Sequence, residues 1–120
     1  MKGRSVNKYL RRCCIAGAIC VTGMPVMAQD SARPALGEKV FVSSCKSCHD
    51  TGKAQNDAPQ LNDLAAWKER YGNGLNDLYK SAIEGFSGYY VMPPRGGNAA
   101  LSDEEVKAAV EYMLQRAGVR

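Results

Sequence analysis

Apolar residues recur along this chain at helical spacing in short stretches, and no stretch alternates as a strand would. Leu36, Val40, Phe41 and Cys45 predict a helix over 36–48 that carries two thiols to its C-terminal end. Asp50 to Gln60 reads as a loop. Asn62 or Asp63 can then cap a helix through Leu64, Ala65, Trp67 and Lys68 to Tyr71, stopped by Gly72. Leu75, Leu78, Tyr79, Ala82 and Ile83 share one face of a further helix that ends at Gly85, and a second loop runs through G-F-S-G-Y-Y-V-M-P-P-R-G-G-N. The last element is the clearest. Ser102 and Glu105 form a capping box, Leu101 and Val106 a hydrophobic staple, and Val106, Ala109, Val110, Met113 and Ala117 repeat until Gly118. The pattern predicts an all-α chain of three to four short helices and long loops. Ordering such loops costs about 1 to 2 kcal/mol per residue, so something besides polypeptide is expected to organise them.

Composition changes this picture at the N-terminus. Lys2, Arg4, Lys8, Arg11 and Arg12 precede an apolar run from Cys13 to Met27, and Val26-Met27-Ala28 offers small residues for cleavage. We therefore expect a cleaved Sec-type signal peptide over 1–28, a flexible lead-in over 29–35, and one domain over 36–120. The apolar run is broken by Thr22, Gly23 and Pro25 and falls short of the ~20 residues of a membrane span. The leader takes five of the 16 basic residues and none of the 12 acids, so 11 basic residues remain against 12 acidic ones, a formal charge of −1. A near-neutral chain has no electrostatic basis for binding nucleic acid or an anionic membrane. No membrane insertion is expected after leader cleavage.

Export also isolates the chemistry. Beyond residue 28 only Cys45 and Cys48 carry thiols, and they adjoin the single histidine in C-K-S-C-H, residues 45–49. C-x-x-C-H is the form of c-type haem attachment, in which two thiols add to porphyrin vinyl groups and the next imidazole reaches the iron. Other chemistries compete. A structural zinc site needs a fourth ligand, a thioredoxin-like centre expects a βαβ scaffold, and a plain disulfide leaves His49 unexplained. If iron takes His49, the opposite face falls to a protein thioether or stays open to water or a gas. Of the two thioethers beyond the leader, Met113 lies on the repeating face of the last helix, where methionine is usually core filler. Met92 stands in a loop before Pro93-Pro94, which stiffens its approach, and is the candidate sixth ligand. With both faces occupied, such a centre suits one-electron transfer rather than bond-making.

The order G-E-K-V-F, C-K-S-C-H, A-P, a tryptophan helix, M-P-P-R-G-G and L-S-D-E-E-V-K-A-A-V-E-Y-M resembles the class I c-type cytochromes over residues 36–117, most closely the small bacterial cytochrome c-five group. The resemblance implies a small class I cytochrome c fold wrapped around one haem c. Cys45 and Cys48 would carry the thioether bonds and His49 and Met92 the axial bonds, while Pro59 would accept a hydrogen bond from the ligand imidazole. Gly37 and Phe41 match first-helix positions that meet the last helix at Tyr112, and Trp67 matches a residue near a haem propionate. No disulfide is expected. The stretch Gly85 to Val91, with Phe86, Tyr89 and Tyr90, is more aromatic than the group's usual loop. The implied role is a periplasmic, non-enzymatic one-electron carrier with transient redox protein partners. The alternative is a haem c subunit of a larger oxidoreductase.

Overall fold

The computed structural model describes residues 31–52 and 57–120. The expected leader lies outside the described residues, as do 29–30 and 53–56. The first helix, α1 (Ala32–Val40), continues through a π-helical turn (Phe41–Cys45) into α2 (Lys46–His49). It starts earlier than the periodicity indicated, because residues 32–35 form its first turn. Pro34 is tolerated there, since the first N–H groups of a helix have no intrahelical partner. Arg33 then ties this turn to the last helix, donating from Nε to Glu111 at 2.8 Å, from Nη2 to Glu111 at 3.0 Å and from Nη1 to Glu104 at 3.2 Å. The π turn departs from the single regular helix expected over 36–48. Its extra residue rotates everything after it relative to the face set by Gly37, Val40 and Phe41, so that His49 is buried while Val42 and Ser43 face outward.

Helix α3 (Leu64–Tyr71) is capped by Asp63, whose side chain accepts from Ala66 N at 2.9 Å. Helix α4 (Leu75–Glu84) enters from Gly74 and leaves at Gly85. Residues 86–87 (β1) and 91–92 (β2) form a two-stranded antiparallel ribbon that pairs Phe86 with Met92 and Ser87 with Val91. Strands this short leave no alternation to read, which is why the pattern did not indicate them. A 3-10 turn (Pro94–Gly97) leads on to α5 (Asp103–Arg116).

Helix α5 forms the spine of the core. Val106, Val110, Met113 and Leu114 bury against Phe41, Trp67 and Ala82, and Leu114 is wholly enclosed. Helix α1 crosses α5 at Gly37, and Phe41 meets Tyr112 with ring centroids 5.3 Å apart, the pairing implied by the family resemblance. The capping box is complete, with Glu105 N donating to Ser102 Oγ and Ser102 N to Glu105 Oε2 at 2.8 Å. Replacing Ser102 by alanine is expected to cost about 1 kcal/mol, a fall in Tm of about 4–8 °C by thermal melting.

Glu111 also accepts from the Tyr79 hydroxyl of α4, so one carboxylate joins α1, α4 and α5. Its pKa lies below the ordinary 4.5, chiefly through the Arg33 hydrogen bonds. A carboxylate with a depressed folded-state pKa contributes stability that is present above its unfolded value and lost as pH falls through the folded one. Denaturant titrations from neutral pH to below 4 should therefore show a shallower acid-side loss for Glu111→Gln than for the parent. Equal slopes would remove Glu111 from the acid response.

Candidate functional site

His49 ends α2 and is only 6% exposed. Its Nδ1 lies 2.9 Å from the Pro59 carbonyl, and its own carbonyl accepts from Leu61 N at 2.9 Å, so ring and backbone are both held by the segment 59–61. A carbonyl can only accept, which places the ring proton on Nδ1. Burial lowers the His49 pKa, against the opposing pull of the Pro59 hydrogen bond, and the Arg70 charge lowers it further. The ring is neutral at pH 7. Its Nε2 makes no hydrogen bond among the described residues and keeps an available lone pair.

Cys45 and Cys48 are half-buried free thiols. Desolvation, with the neighbouring Cys48 second, pushes the Cys45 thiol up to about 11. That is opposite to the depressed pKa of a dithiol redox centre. Among the described residues no cluster of His, Cys, Asp and Glu is arranged to hold a metal ion, so no carboxylate joins this motif to complete a zinc set.

Met92, in β2, is half-buried and packs at the edge of the core, whereas Met113 is fully within it. The Met92 segment is held from several directions. A Cβ at Gly85 would sit 2.8 Å from Met92 O, and one at Gly96 would sit 2.9 Å from Ser44 O. Arg95 and Gly96 adopt left-handed backbone with φ of 54° and 64°, and Arg95 bonds Asp103 at 2.7 Å and Leu101 O at 2.9 Å. Asn98 Nδ2 donates to Ser44 Oγ at 3.3 Å. The turn after Met92 is thus fastened both to the π turn preceding the cysteines and to the start of α5. The unusual aromatic stretch forms the hairpin leading into Met92, with Phe86, Tyr90 and Val91 exposed and Tyr89 91% exposed.

Trp67 is buried with its ring centroid 5.9 Å from that of His49, and its indole N–H donates to Gln60 O at 2.9 Å. Its one donor is therefore used within the protein. Gln60 is the residue that periodicity and motif both missed. It is buried within a stretch that reads simply as loop, and only a glutamine flanked by Pro59 and Leu61 hinted at an inward-facing amide.

Residues 32–113 match the profile of the family described as cytochrome C oxidase, cbb3-type, subunit III. The chain is 36% identical to cytochrome c-555 of Chlorobaculum tepidum over 91% of its own length and 96% of that protein's. It is 39% identical to cytochrome c5 of Azotobacter vinelandii over 64% of its length and 89% of the relative's. Among solved structures, an electron transfer complex of nitrite reductase with cytochrome c contains a chain that superposes with a TM-score of 0.59 at 36% identity, covering 68% of this chain and 94% of that one. Fold and site together define a haem c electron-transfer protein. The chain belongs to the cytochrome c family represented by that profile, as a small class I cytochrome c.

The residues fit the family's cofactor. A buried neutral imidazole retains a free Nε2, two thiols precede it unpaired, and a thioether stands on a fastened loop. Helix α4 has a continuous apolar face, yet Leu75, Leu78, Tyr79 and Ile83 are only partly buried and Ala82 alone is enclosed. That face awaits an apolar partner larger than a side chain.

Proposed function

We propose that the protein is an exported, periplasmic one-electron carrier in which Cys45 and Cys48 hold a single haem c by thioether bonds and His49 and Met92 are its axial ligands. The observation that carries this reading is the neutral His49 ring, fixed through Nδ1 to Pro59 with Nε2 free, immediately after two unpaired thiols. When bound, haem c supplies a metal centre that accepts and releases one electron. His49 contributes its Nε2 lone pair, and Pro59 orients the ring and strengthens its donation. Met92 is presented by a loop whose ends are tied to Ser44 and Asp103, so ligation requires little further ordering of the chain. Leu75, Leu78 and Ile83 exclude water from the pocket, and Trp67 backs His49 on the side away from it. With both axial positions filled there is no place for substrate, which argues for a carrier and not an enzyme.

Export is supported by the basic and apolar pattern of residues 1–28. Among the described residues no helix is long and apolar enough to cross a membrane. Brief contacts with redox protein partners follow from the carrier role, over a small interface that Met92, Pro93 and Pro94 border. A second reading, a haem c subunit of a larger oxidoreductase, has one point in its favour, the oxidase-subunit description of the matching family. Stable co-purification with a larger enzyme would select it.

The test is the absorption spectrum of protein from cells competent in cytochrome maturation, in both redox states. Covalent pigment that resists acidified acetone and a weak long-wavelength sulfur-to-ferric-iron band are expected. A colourless or extractable product would overturn the assignment.

A further inference from the structure

The loop after C-K-S-C-H has no strand ladder to hold it, yet it carries the carbonyl that orients His49. Pro59 cannot position that carbonyl through a hydrogen bond of its own, because it has no N–H. The neighbouring side chain does so. Gln60 is 8% exposed, and its amide makes every bond it can make. Nε2 donates to Cys48 O at 2.7 Å and to Ala58 O at 3.0 Å, while Oε1 accepts from Thr51 N at 2.9 Å and from Thr51 Oγ1 at 3.3 Å. This pattern also fixes which way the amide faces, since a flipped amide would set its oxygen against two carbonyls. Cys48 and Thr51 bracket His49, and Ala58 precedes Pro59. One buried amide therefore stitches the chain on both sides of the imidazole to the strand that receives its Nδ1–H. From outside, the Gln60 carbonyl is held by Trp67 Nε1 at 2.9 Å and Asp63 N at 2.9 Å.

We infer that Gln60 is the positioning residue of this centre: its side-chain amide sets the strength of the His49 to Pro59 hydrogen bond and thereby the electron donation of His49 and the reduction potential. The inference rests on the reading of His49 as an axial ligand. A hydrogen bond from Nδ1 makes the imidazole a stronger donor, which favours the ferric state. Loosening it weakens donation and moves the potential upward. A purely structural glutamine would affect melting alone.

The experiment uses the holoprotein and Gln60→Met, which keeps length and volume and lacks the amide. The expected results are a higher potential, His49 Nδ1–H exchanging with solvent roughly tenfold faster by NMR, and an unchanged sulfur-to-iron band that reports Met92 still bound. Potential and exchange rate equal to the parent's would overturn the inference, as would a change in melting temperature without either. If the variant does not accumulate, the parent decides. Gln60 amide protons and the Thr51 N–H protected to the same degree as His49 Nδ1–H support the clamp, and freely exchanging amide protons refute it. A parent without covalent haem, or without the sulfur band, defeats the ligand reading itself. A normal parent with an unperturbed variant defeats only the role of Gln60.

Discussion

Met92→Ala is expected to lower the reduction potential by a few tenths of a volt, within the roughly 0.8 V that axial ligands govern, and to open the centre to carbon monoxide. The physical cause is loss of a thioether, which favours the reduced metal, and its replacement by water. Pigment stays attached, because the thiols of Cys45 and Cys48 are untouched. The fold should persist as well. Met92 is only half-buried, and the turn after it is held by Arg95 to Asp103 and by Asn98 to Ser44, contacts that do not involve its side chain. Met113→Ala is the matching control. That residue lies within the core, so its removal is expected to cost about 2–5 kcal/mol while leaving the sulfur band in place. Redox titration and carbon monoxide difference spectra of the two variants separate the roles. A Met92→Ala protein that kept its band and stayed closed to carbon monoxide would show that another group fills the sixth position.

Gly37→Val should destabilise the protein by about 3 kcal/mol or more, a fall in Tm of about 12–24 °C for a domain of this size. A Cβ at this position would lie 2.9 Å from the Ala108 carbonyl carbon and 3.0 Å from Tyr112 Cβ, and closer still to Ala108 O. Two of these atoms are backbone in the middle of α5 and cannot rotate aside. The helices must separate instead, which strips the Phe41 to Tyr112 contact and shifts the π turn that ends at Cys45. The variant thus tests whether the crossing supports the thiols, since separation of α1 from α5 should also reduce the yield of covalent pigment. Gly52→Ala is the comparison, because no heavy atom stands near its added Cβ and only its positive φ is strained. Denaturant unfolding of both proteins measures the difference, and a Gly37→Val protein as stable as Gly52→Ala would refute the close crossing.

Much of the framework could be read from residue order because it is decided within a single helical turn. Ser102 and Glu105 satisfy each other three positions apart, Asp63 caps Ala66 at the same spacing, and Gly85 ends α4 where its backbone turns left-handed. The motif at 45–49 required no fold to be noticed, and Met92 was reached by elimination among few thioethers. Arg33 and Glu111 could not be paired in this way, since they stand 78 positions apart and meet only after α1 has crossed α5. For that reason the first helix extends beyond its apolar repeat. Trp67 likewise offered one indole N–H with no indication of its acceptor, which proved to be a backbone carbonyl of the preceding loop.

The linear order of residues by itself determined the helical class, the caps and stops, the attachment motif and the choice of Met92 over Met113, because each depends on spacing or residue chemistry that survives without three-dimensional context. Only the tertiary structure decided the direction of His49, the commitment of the Trp67 donor, the fastening of the Met92 loop to Ser44 and Asp103, and the place of Gln60 between Cys48, Thr51 and Ala58. These are matters of which buried polar group finds which partner. Such pairings are chosen by the packing of segments distant in sequence, and no local preference encodes them.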